Sequence, residues 1–139
     1  MYKILMIDDD LDDQYFYKDL FLKYSEVIEF DSVSGQDELN AKFLNIEAGT
    51  TEIPSLILLD LNLPKVSGKQ IFEGLKKNEL FKGVPVVVLT TSSSPIDMED
   101  CKSLGIESYF VKPVEYHECE NLVQTIYAYW FDYNALNEI

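Results

Sequence analysis

Short apolar runs alternate with amphipathic segments along this chain. The apolar runs at residues 4–7, 56–59, 84–89 and 109–111 are each followed at once by a polar residue. Apolar runs of this length, bounded by turn signals, are typical of buried strands. Residues 27–33 predict a further strand, so that five strands are expected in all.

The segments between the strands have apolar residues at helical spacing. Helices are predicted over residues 10–23, after a cap at Ser34, over residues 67–79, from Ser94 and Pro95, and after Pro113. Leu22 and Leu44 are expected on the apolar faces of the first two helices, and residues 45–54 are expected to form a polar loop. Strands that alternate with helices indicate βαβ units. The predicted fold is therefore α/β, with a single five-stranded parallel sheet flanked by five helices.

Length and composition limit the class of protein. A chain of 139 residues, 47% hydrophobic and 26% charged, fits one globular domain. Its apolar runs are far shorter than the ~18 residues that indicate a membrane span. The first residues lead directly into a strand and lack the pattern of a signal peptide. We therefore expect a cytoplasmic protein that does not enter a membrane.

The charge balance argues against nucleic-acid binding. The formal net charge is −14, and all 11 basic residues are lysines. Nucleic-acid binding relies on basic patches, and arginine is the preferred reader of guanine. Cys101 and Cys119 are too few for a disulfide framework and lack metal-site spacing, so we expect reduced structural thiols.

Polar residues capable of chemistry follow four of the predicted strands. Asp8 and Asp9 follow the first strand, Asp60 the third, and Thr90 and Lys112 the last two. The carboxyl ends of parallel strands share one edge of the sheet, where open α/β sheets bind ligands. Carboxylates, a hydroxyl and an ammonium in one cleft suit a hard divalent cation and a phosphoryl group. A strand-end carboxylate such as that of Asp60 can also act as a nucleophile.

Each residue also has a purely structural interpretation when taken alone. Aspartate is common at turns and at helix starts, and lysine is usually a surface residue. Asp12 and Asp13 are expected to be solvated residues of the first helical turn. His117 is expected on the surface, without a ligand set around it. The ordered combination of all four strand-end signals favours the functional interpretation.

The chain resembles the receiver domain of two-component response regulators over about residues 3–130. The matching motifs are residues 4–10 (ILMIDDD), 58–64 (LLDLNLP) with Gly68, 88–90 (VLT) and 109–113 (YFVKP). The resemblance implies a flavodoxin-like sheet with strand order 2-1-3-4-5. Residues 89–94 (LTTSSS) and the loop at 45–54 are also similar to stand-alone receivers associated with phytochrome-type histidine kinases.

The resemblance implies a phosphoacceptor and a metal site. Asp60 corresponds to the phosphoacceptor. Asp8, Asp9, Asp60 and the backbone carbonyl of Asn62 correspond to the ligands of Mg²⁺, with Mn²⁺ as an alternative. Lys112 corresponds to the lysine that pairs with a phosphoryl oxygen. The peptide bond after Lys112 is expected to be cis.

The resemblance also implies a switch next to the acceptor. Thr90 corresponds to the hydroxyl that moves to the phosphoryl group, and Tyr109 to the aromatic side chain that follows it. Thr91 would contribute to phosphoryl binding, at a position where a smaller residue is common in the family. Asn62 and Ser92 correspond to positions that tune dephosphorylation.

The implied function is signal transduction by phosphorelay. A sensor histidine kinase or a phosphotransfer protein would donate the phosphoryl group, and a downstream protein would read the result. The chain would catalyse only its own phosphorylation and dephosphorylation. We expect a receiver domain at residues 1–130 and a C-terminal helical extension at 131–139, with no output domain. The aromatic residues of 127–133 predict a face for a homodimer or a partner, and the alternative is that they fold back on the domain.

Three other protein classes fit parts of the pattern. A pseudo-receiver would bind partners without phosphorylation. A phosphatase of the haloacid dehalogenase type also uses a strand-end aspartate, but it usually has a second aspartate where this chain has Asn62. A flavodoxin-like flavin binder would need a hydroxyl-rich loop where this chain has Asp8 and Asp9.

Overall fold

A computed structural model of the protein describes residues 1–106 and 108–132. Within these residues the chain forms one sheet of five parallel strands in the order β2-β1-β3-β4-β5, with five α-helices. The strands are β1 (Tyr2–Ile7), β2 (Ile28–Val33), β3 (Leu56–Leu59), β4 (Val86–Thr90) and β5 (Ser108–Val111). The helices are α1 (Leu11–Phe21), α2 (Gln36–Glu47), α3 (Gly68–Lys77), α4 (Pro95–Ser103) and α5 (Tyr116–Trp130). The predicted α/β fold and strand order are confirmed.

Two apolar clusters cover the two faces of the sheet. Successive residues of a strand point to opposite faces. Ile4 and Met6 of β1 therefore lie in the cluster with α1 and α5, whereas Leu5 and Ile7 lie in the cluster with α2, α3 and α4. Because both faces are covered, the central strand β3 is buried at every position.

Backbone hydrogen bonds continue the sheet beyond the strand ends. The N–H of Asp60 donates to the carbonyl of Ile7 at 3.0 Å, and the N–H of Lys112 donates to that of Thr90 at 2.7 Å. The N–H of Asp8 bonds in the same way to the last residue of β2, at 3.0 Å. The residues that follow the strands are thus fixed at one edge of the sheet.

The helix starts agree with the prediction in α4 and differ in α2. Ser94 caps α4, with Pro95 as the first helical residue, as the sequence predicts. The predicted cap at Ser34 is wrong, because α2 begins after Gly35. The hydroxyl of Ser34 instead accepts a hydrogen bond from the side chain of Gln14 at 3.2 Å.

Several predicted boundaries are also wrong. Leu22 and Leu44 are 56% and 67% exposed, because α1 gives way to a 3₁₀ turn at Leu22 and because the buried side of α2 centres on Leu39. The helix α2 runs to Glu47 and takes up the start of the predicted loop. Val27 precedes β2, since its N–H closes a turn instead.

The peptide bond between Lys112 and Pro113 is trans. The cis bond implied by the family resemblance is therefore wrong. Trans is the lower-energy form of a bond before proline.

The end of α5 packs on the chain itself. The ring of Tyr127 stacks on Tyr24 with centroids 4.0 Å apart, and the ring of Phe131 lies 4.8 Å from that of Tyr2. Trp130 also contacts this apolar cluster, whereas Tyr129 is 61% exposed. These contacts favour the alternative in which the aromatic segment folds back. Residues 133–139 lie outside the described residues, so the predicted extension and dimer face stay predictions.

Every helix in the described part of the chain is too short or too polar to cross a bilayer.

Candidate functional site

Three carboxylates meet at the carboxyl edge of the sheet. One oxygen from each of Asp8, Asp9 and Asp60 lies within 4.8 Å of the others. Asp8 and Asp60 are buried, whereas Asp9 is exposed at the mouth of the cleft. Carboxylates at such distances repel one another, and a hard divalent cation would remove that repulsion. The donor set is of the oxygen type that Mg²⁺ and Mn²⁺ prefer, so these residues could hold such an ion.

Lys112 is the cation of this cleft. Its Nζ lies 2.6 Å from Asp8 Oδ2, 2.7 Å from Asp13 Oδ2 and 3.3 Å from Asp60 Oδ2. An ammonium group has three hydrogen-bond donors, and all three are therefore used. The side chain is only 7% exposed, so Lys112 is not an ordinary surface lysine.

Burial disfavours the charged forms of both Asp8 and Lys112, with different outcomes. Desolvation raises the pKa of Asp8 to about 6, although the hydrogen bond from Lys112 acts in the opposite direction. Burial also disfavours the charged form of Lys112, but hydrogen bonds to Asp13 and Asp8 outweigh it and raise the pKa of the lysine. Lys112 is therefore fully protonated near neutral pH.

The backbone around Asp60 is tightly folded. The N–H of Asn62 donates to Asp60 Oδ1 at 3.1 Å, and the N–H of Gly68 donates to the carbonyl of Leu61 at 3.0 Å. A Cβ atom at Gly68 would lie 2.2 Å from the carbonyl oxygen of Asp60. The position at the start of α3 therefore requires glycine, which explains Gly68 in the sequence motif.

Thr90 and Tyr109, the predicted switch residues, are linked through Ser92. Thr90 is fully buried, and its Oγ1 accepts a hydrogen bond from the N–H of Ser92 at 3.4 Å. The hydroxyl of Tyr109 donates to the carbonyl of Ser92 at 2.8 Å. Thr91 is exposed directly after β4. A movement of Thr90 would consequently disturb the residue that holds Tyr109.

A second group of charges fastens α4 to α3. Lys69 Nζ lies 2.6 Å from Asp97 Oδ1 and 2.9 Å from Asp100 Oδ2. The hydroxyl of Ser92 donates to Asp97 Oδ2 at 2.5 Å. The hydrogen bonds from Lys69 and from Ser92 lower the pKa of Asp97. Ser92 is thus engaged with α4 as well as with Thr90.

Sequence reasoning missed the role of Asp13. The prediction that Asp13 is a solvated helix residue is wrong, because its carboxylate contacts Lys112. Asp10 caps α1 by accepting a hydrogen bond from the N–H of Asp13, which places Asp13 in the first turn beside the cleft. The same cap also accepts a hydrogen bond from the N–H of Asp12, so this sequence signal marks both residues as first-turn candidates without choosing between them. Asp12 is exposed, as predicted.

The remaining candidate residues lie outside the cleft. His117 is exposed on α5, as predicted. Cys101 and Cys119 are buried free thiols, also as predicted, and burial raises the pKa of both.

Comparison with known proteins places this geometry in a family. The family described as "Response regulator receiver domain" matches residues 4–125. The probable methanogenesis regulatory protein FilR2 of Methanothrix harundinacea is 39% identical over 88 residues, which cover 63% of this chain and 57% of FilR2. The response regulator Rcp1 of Synechocystis is 39% identical over 79 residues, which cover 57% of this chain and 54% of Rcp1. The chain thus spans little more than half the length of these two relatives.

Two solved structures resemble the whole described fold. The phosphorylated cyanobacterial phytochrome response regulator RcpA has a TM-score of 0.83 at 28% identity, with 93% of each chain covered. The Mn²⁺-bound form of Rcp1 has a TM-score of 0.74 at 34% identity, with 94% of each chain covered. The predicted similarity to phytochrome-associated regulators is confirmed. The chain belongs to the receiver domains of response regulators.

Proposed function

We propose that the chain accepts a phosphoryl group on Asp60 from the phosphohistidine of a sensor histidine kinase or a phosphotransfer protein. In this step the P–N bond of the donor breaks and a P–O bond to a carboxylate oxygen of Asp60 forms. The observation that carries the proposal is that Asp60 contacts Lys112, while an oxygen of Asp60 also lies within 4.8 Å of carboxylate oxygens of Asp8 and Asp9. Family membership supports the same reaction and a cytoplasmic location.

The charges around Asp60 suit phosphoryl transfer. When bound by Asp8, Asp9, Asp60 and the carbonyl of Asn62, Mg²⁺ or Mn²⁺ supplies positive charge beside the phosphoryl oxygens. Lys112 lies 3.3 Å from Asp60 Oδ2 and can shift to a phosphoryl oxygen when Asp60 is modified. The Mn²⁺-bound form of the similar protein Rcp1 supports a divalent cation in this role.

The phosphoryl group would then move the switch residues. In the structure, the Thr90 hydroxyl accepts only a long hydrogen bond of 3.4 Å from the N–H of Ser92. After phosphorylation this hydroxyl turns toward a phosphoryl oxygen, and Thr91 adds a further contact to the phosphoryl group. Ser92 shifts with it, and Tyr109 moves into the space that Thr90 leaves. The surface of α4, β5 and α5 changes shape, and a downstream protein binds it. Water later hydrolyses the acyl phosphate, at a rate that Asn62 and Ser92 tune.

The test is the intact mass of the protein after incubation with Mg²⁺ and a small phosphodonor. We expect one phosphoryl group on the wild type and none on Asp60→Asn. Asp12→Asn, which removes an exposed carboxylate of the same region, is the matched control and should be modified like the wild type. A folded wild type that gains no mass from the small donor or from a kinase would contradict the proposal and favour a pseudo-receiver.

A further inference from the structure

Lys112 is shared with a carboxylate that does not belong to the strand-end set. We propose that Asp13 is a positioning residue that acts through Lys112. The carboxylate of Asp13 competes with other partners for the ammonium group of Lys112. Asp13 therefore strengthens the binding of a divalent cation in the cleft, and it weakens the binding of an anion at Asp60. The inference rests on the proposed function, because it concerns the same cleft.

The ammonium group of Lys112 lies closer to Asp13 than to Asp60, the proposed phosphoacceptor. Lys112 Nζ is 2.7 Å from Asp13 Oδ2 but 3.3 Å from Asp60 Oδ2. An anion on Asp60 can gain a short hydrogen bond from Lys112 only if the ammonium shifts away from another partner, since its three donors are already used. Asp13 therefore competes with such an anion for Lys112.

Burial makes this competition effective. The side chain of Lys112 is 7% exposed and that of Asp13 is 30% exposed. Charges in such a site are screened by solvent and salt much less than surface charges are. The hydrogen bond from the N–H of Asp13 to the capping carboxylate of Asp10 holds this helical turn beside the cleft.

Asp13 also affects the cation, through Asp8. Lys112 Nζ lies 2.6 Å from Asp8 Oδ2, so the lysine and a divalent cation compete for the same carboxylate. Without the negative charge of Asp13, Lys112 would bind Asp8 and Asp60 more tightly and the cleft would be less negative. Both changes weaken cation binding, and we expect the loss of this unit charge to weaken the affinity roughly 3- to 10-fold.

The opposite effect is expected for an anion. At saturating Mg²⁺, the loss of Asp13 removes a competitor for Lys112 and a repelling charge. Beryllofluoride, which mimics a phosphoryl group on an aspartate, should then bind roughly 3- to 10-fold more tightly. A side chain that only supports the helix would not move the two affinities in opposite directions.

The test compares Asp13→Asn with Asp12→Asn. Asp12 is the adjacent carboxylate, it is exposed, and it is not among the three partners of Lys112. Calorimetry would measure the dissociation constant for Mn²⁺, and fluorine NMR that for beryllofluoride at saturating Mg²⁺. We expect weaker Mn²⁺ and tighter beryllofluoride binding for Asp13→Asn, near wild-type values for Asp12→Asn, and partial restoration by Asp13→Glu.

Two results would overturn the inference. One is that Asp13→Asn and Asp12→Asn change both constants alike, which would indicate a general charge effect. The other is that Asp13→Asn changes both constants in the same direction. The phosphorylation of Asp60 is measured separately by mass. A wild type that gains no phosphoryl group would contradict the proposed function. Opposite shifts of the two dissociation constants in Asp13→Asn would still support the inference about Asp13.

Discussion

Lys112 and Lys69 each bind several carboxylates through one ammonium group, but they do so in different surroundings. Lys112 is 7% exposed and contacts Asp8 after β1, Asp13 in α1 and Asp60 after β3. Lys69 is 27% exposed and contacts two carboxylates of the single helix α4, at 2.6 and 2.9 Å. The two groups have the same chemistry, and they differ in burial and in the surplus of negative charge.

The difference shows what each group can do. In the Lys112 group, buried carboxylates outnumber the lysine, so the site keeps a negative charge that a divalent cation can neutralise. In the Lys69 group the carboxylates face water, which stabilises them without any ligand. The first group is therefore suited to chemistry, and the second to holding α4 against α3.

Removal of the buried lysine should have the largest effect on stability. With EDTA present, Lys112→Met leaves Asp8 and Asp60 buried without a cation, and we expect a loss of about 3 kcal/mol in the free energy of unfolding. Urea unfolding at neutral pH measures it. Mg²⁺ should restore more stability to this variant than to the wild type, because it supplies the missing positive charge.

The matched variant is Lys69→Met, which removes the more exposed lysine. It should lose only about 0.5 kcal/mol, as is usual for a partly exposed ion pair. If both lysine variants lost the same free energy of unfolding, burial would not determine how much each lysine stabilises the protein.

Gly68 lies between the two groups, and its substitution should cause the next largest loss of stability. It precedes Lys69, and a Cβ at this position would lie 2.2 Å from the carbonyl oxygen of Asp60 and 2.6 Å from the Cα of Leu61. Gly68→Ala must therefore displace the backbone that carries Asp60. We expect a loss of about 2 kcal/mol in stability, measured by urea unfolding, together with slower phosphorylation by the small donor.

Gly74 provides the control for this substitution. It lies inside α3, and a Cβ added there would meet no atom within 4 Å, so Gly74→Ala should stabilise the protein by about 0.5 kcal/mol. If Gly68→Ala were as stable as Gly74→Ala, the close approach of α3 to Asp60 would not limit residue size.

The strand-end residues could be predicted because their positions follow from the sheet alone. Asp8, Asp60 and Lys112 each come directly after an apolar run, and parallel strands bring such residues to one edge. Their grouping therefore needed only the strand order. The Lys112–Asp8 contact links residues 104 positions apart. Because β3 and β4 lie between β1 and β5, this contact also needs the long lysine side chain to reach across their ends.

Other contacts depend on helix orientation, which the apolar pattern leaves open. Whether Asp12 or Asp13 faces the cleft depends on where α1 starts, and one residue rotates a helix by about 100°. The contacts of Lys69 with Asp97 and Asp100 depend on how two surface helices sit side by side. Surface charges carry no periodic signal for such a pairing, so sequence reasoning did not find it.

Asp97→Asn should have a smaller effect than Lys112→Met or Gly68→Ala, and its pH dependence sharpens the comparison. The hydrogen bonds from Lys69 and from Ser92 hold the pKa of Asp97 below its ordinary value of 3.8. A lowered pKa in the folded state stabilises the protein above the unfolded pKa, and this stabilisation is lost as the pH falls through the folded value. We expect Asp97→Asn to cost about 0.5 kcal/mol at neutral pH, because Asp97 is partly exposed, and progressively less below pH 3.8.

Unfolding curves of Asp97→Asn and Asp100→Asn at several pH values would decide the point. Asp100 also contacts Lys69 but is 50% exposed and does not bind Ser92, so its substitution should cost less at every pH. A cost for Asp97→Asn that persists at low pH would contradict the ionic origin of the bond and would indicate lost packing instead. Because Ser92 binds both Asp97 and Thr90, an ionic cost would mean that the charge of Asp97 stabilises a group in direct contact with the predicted switch residue.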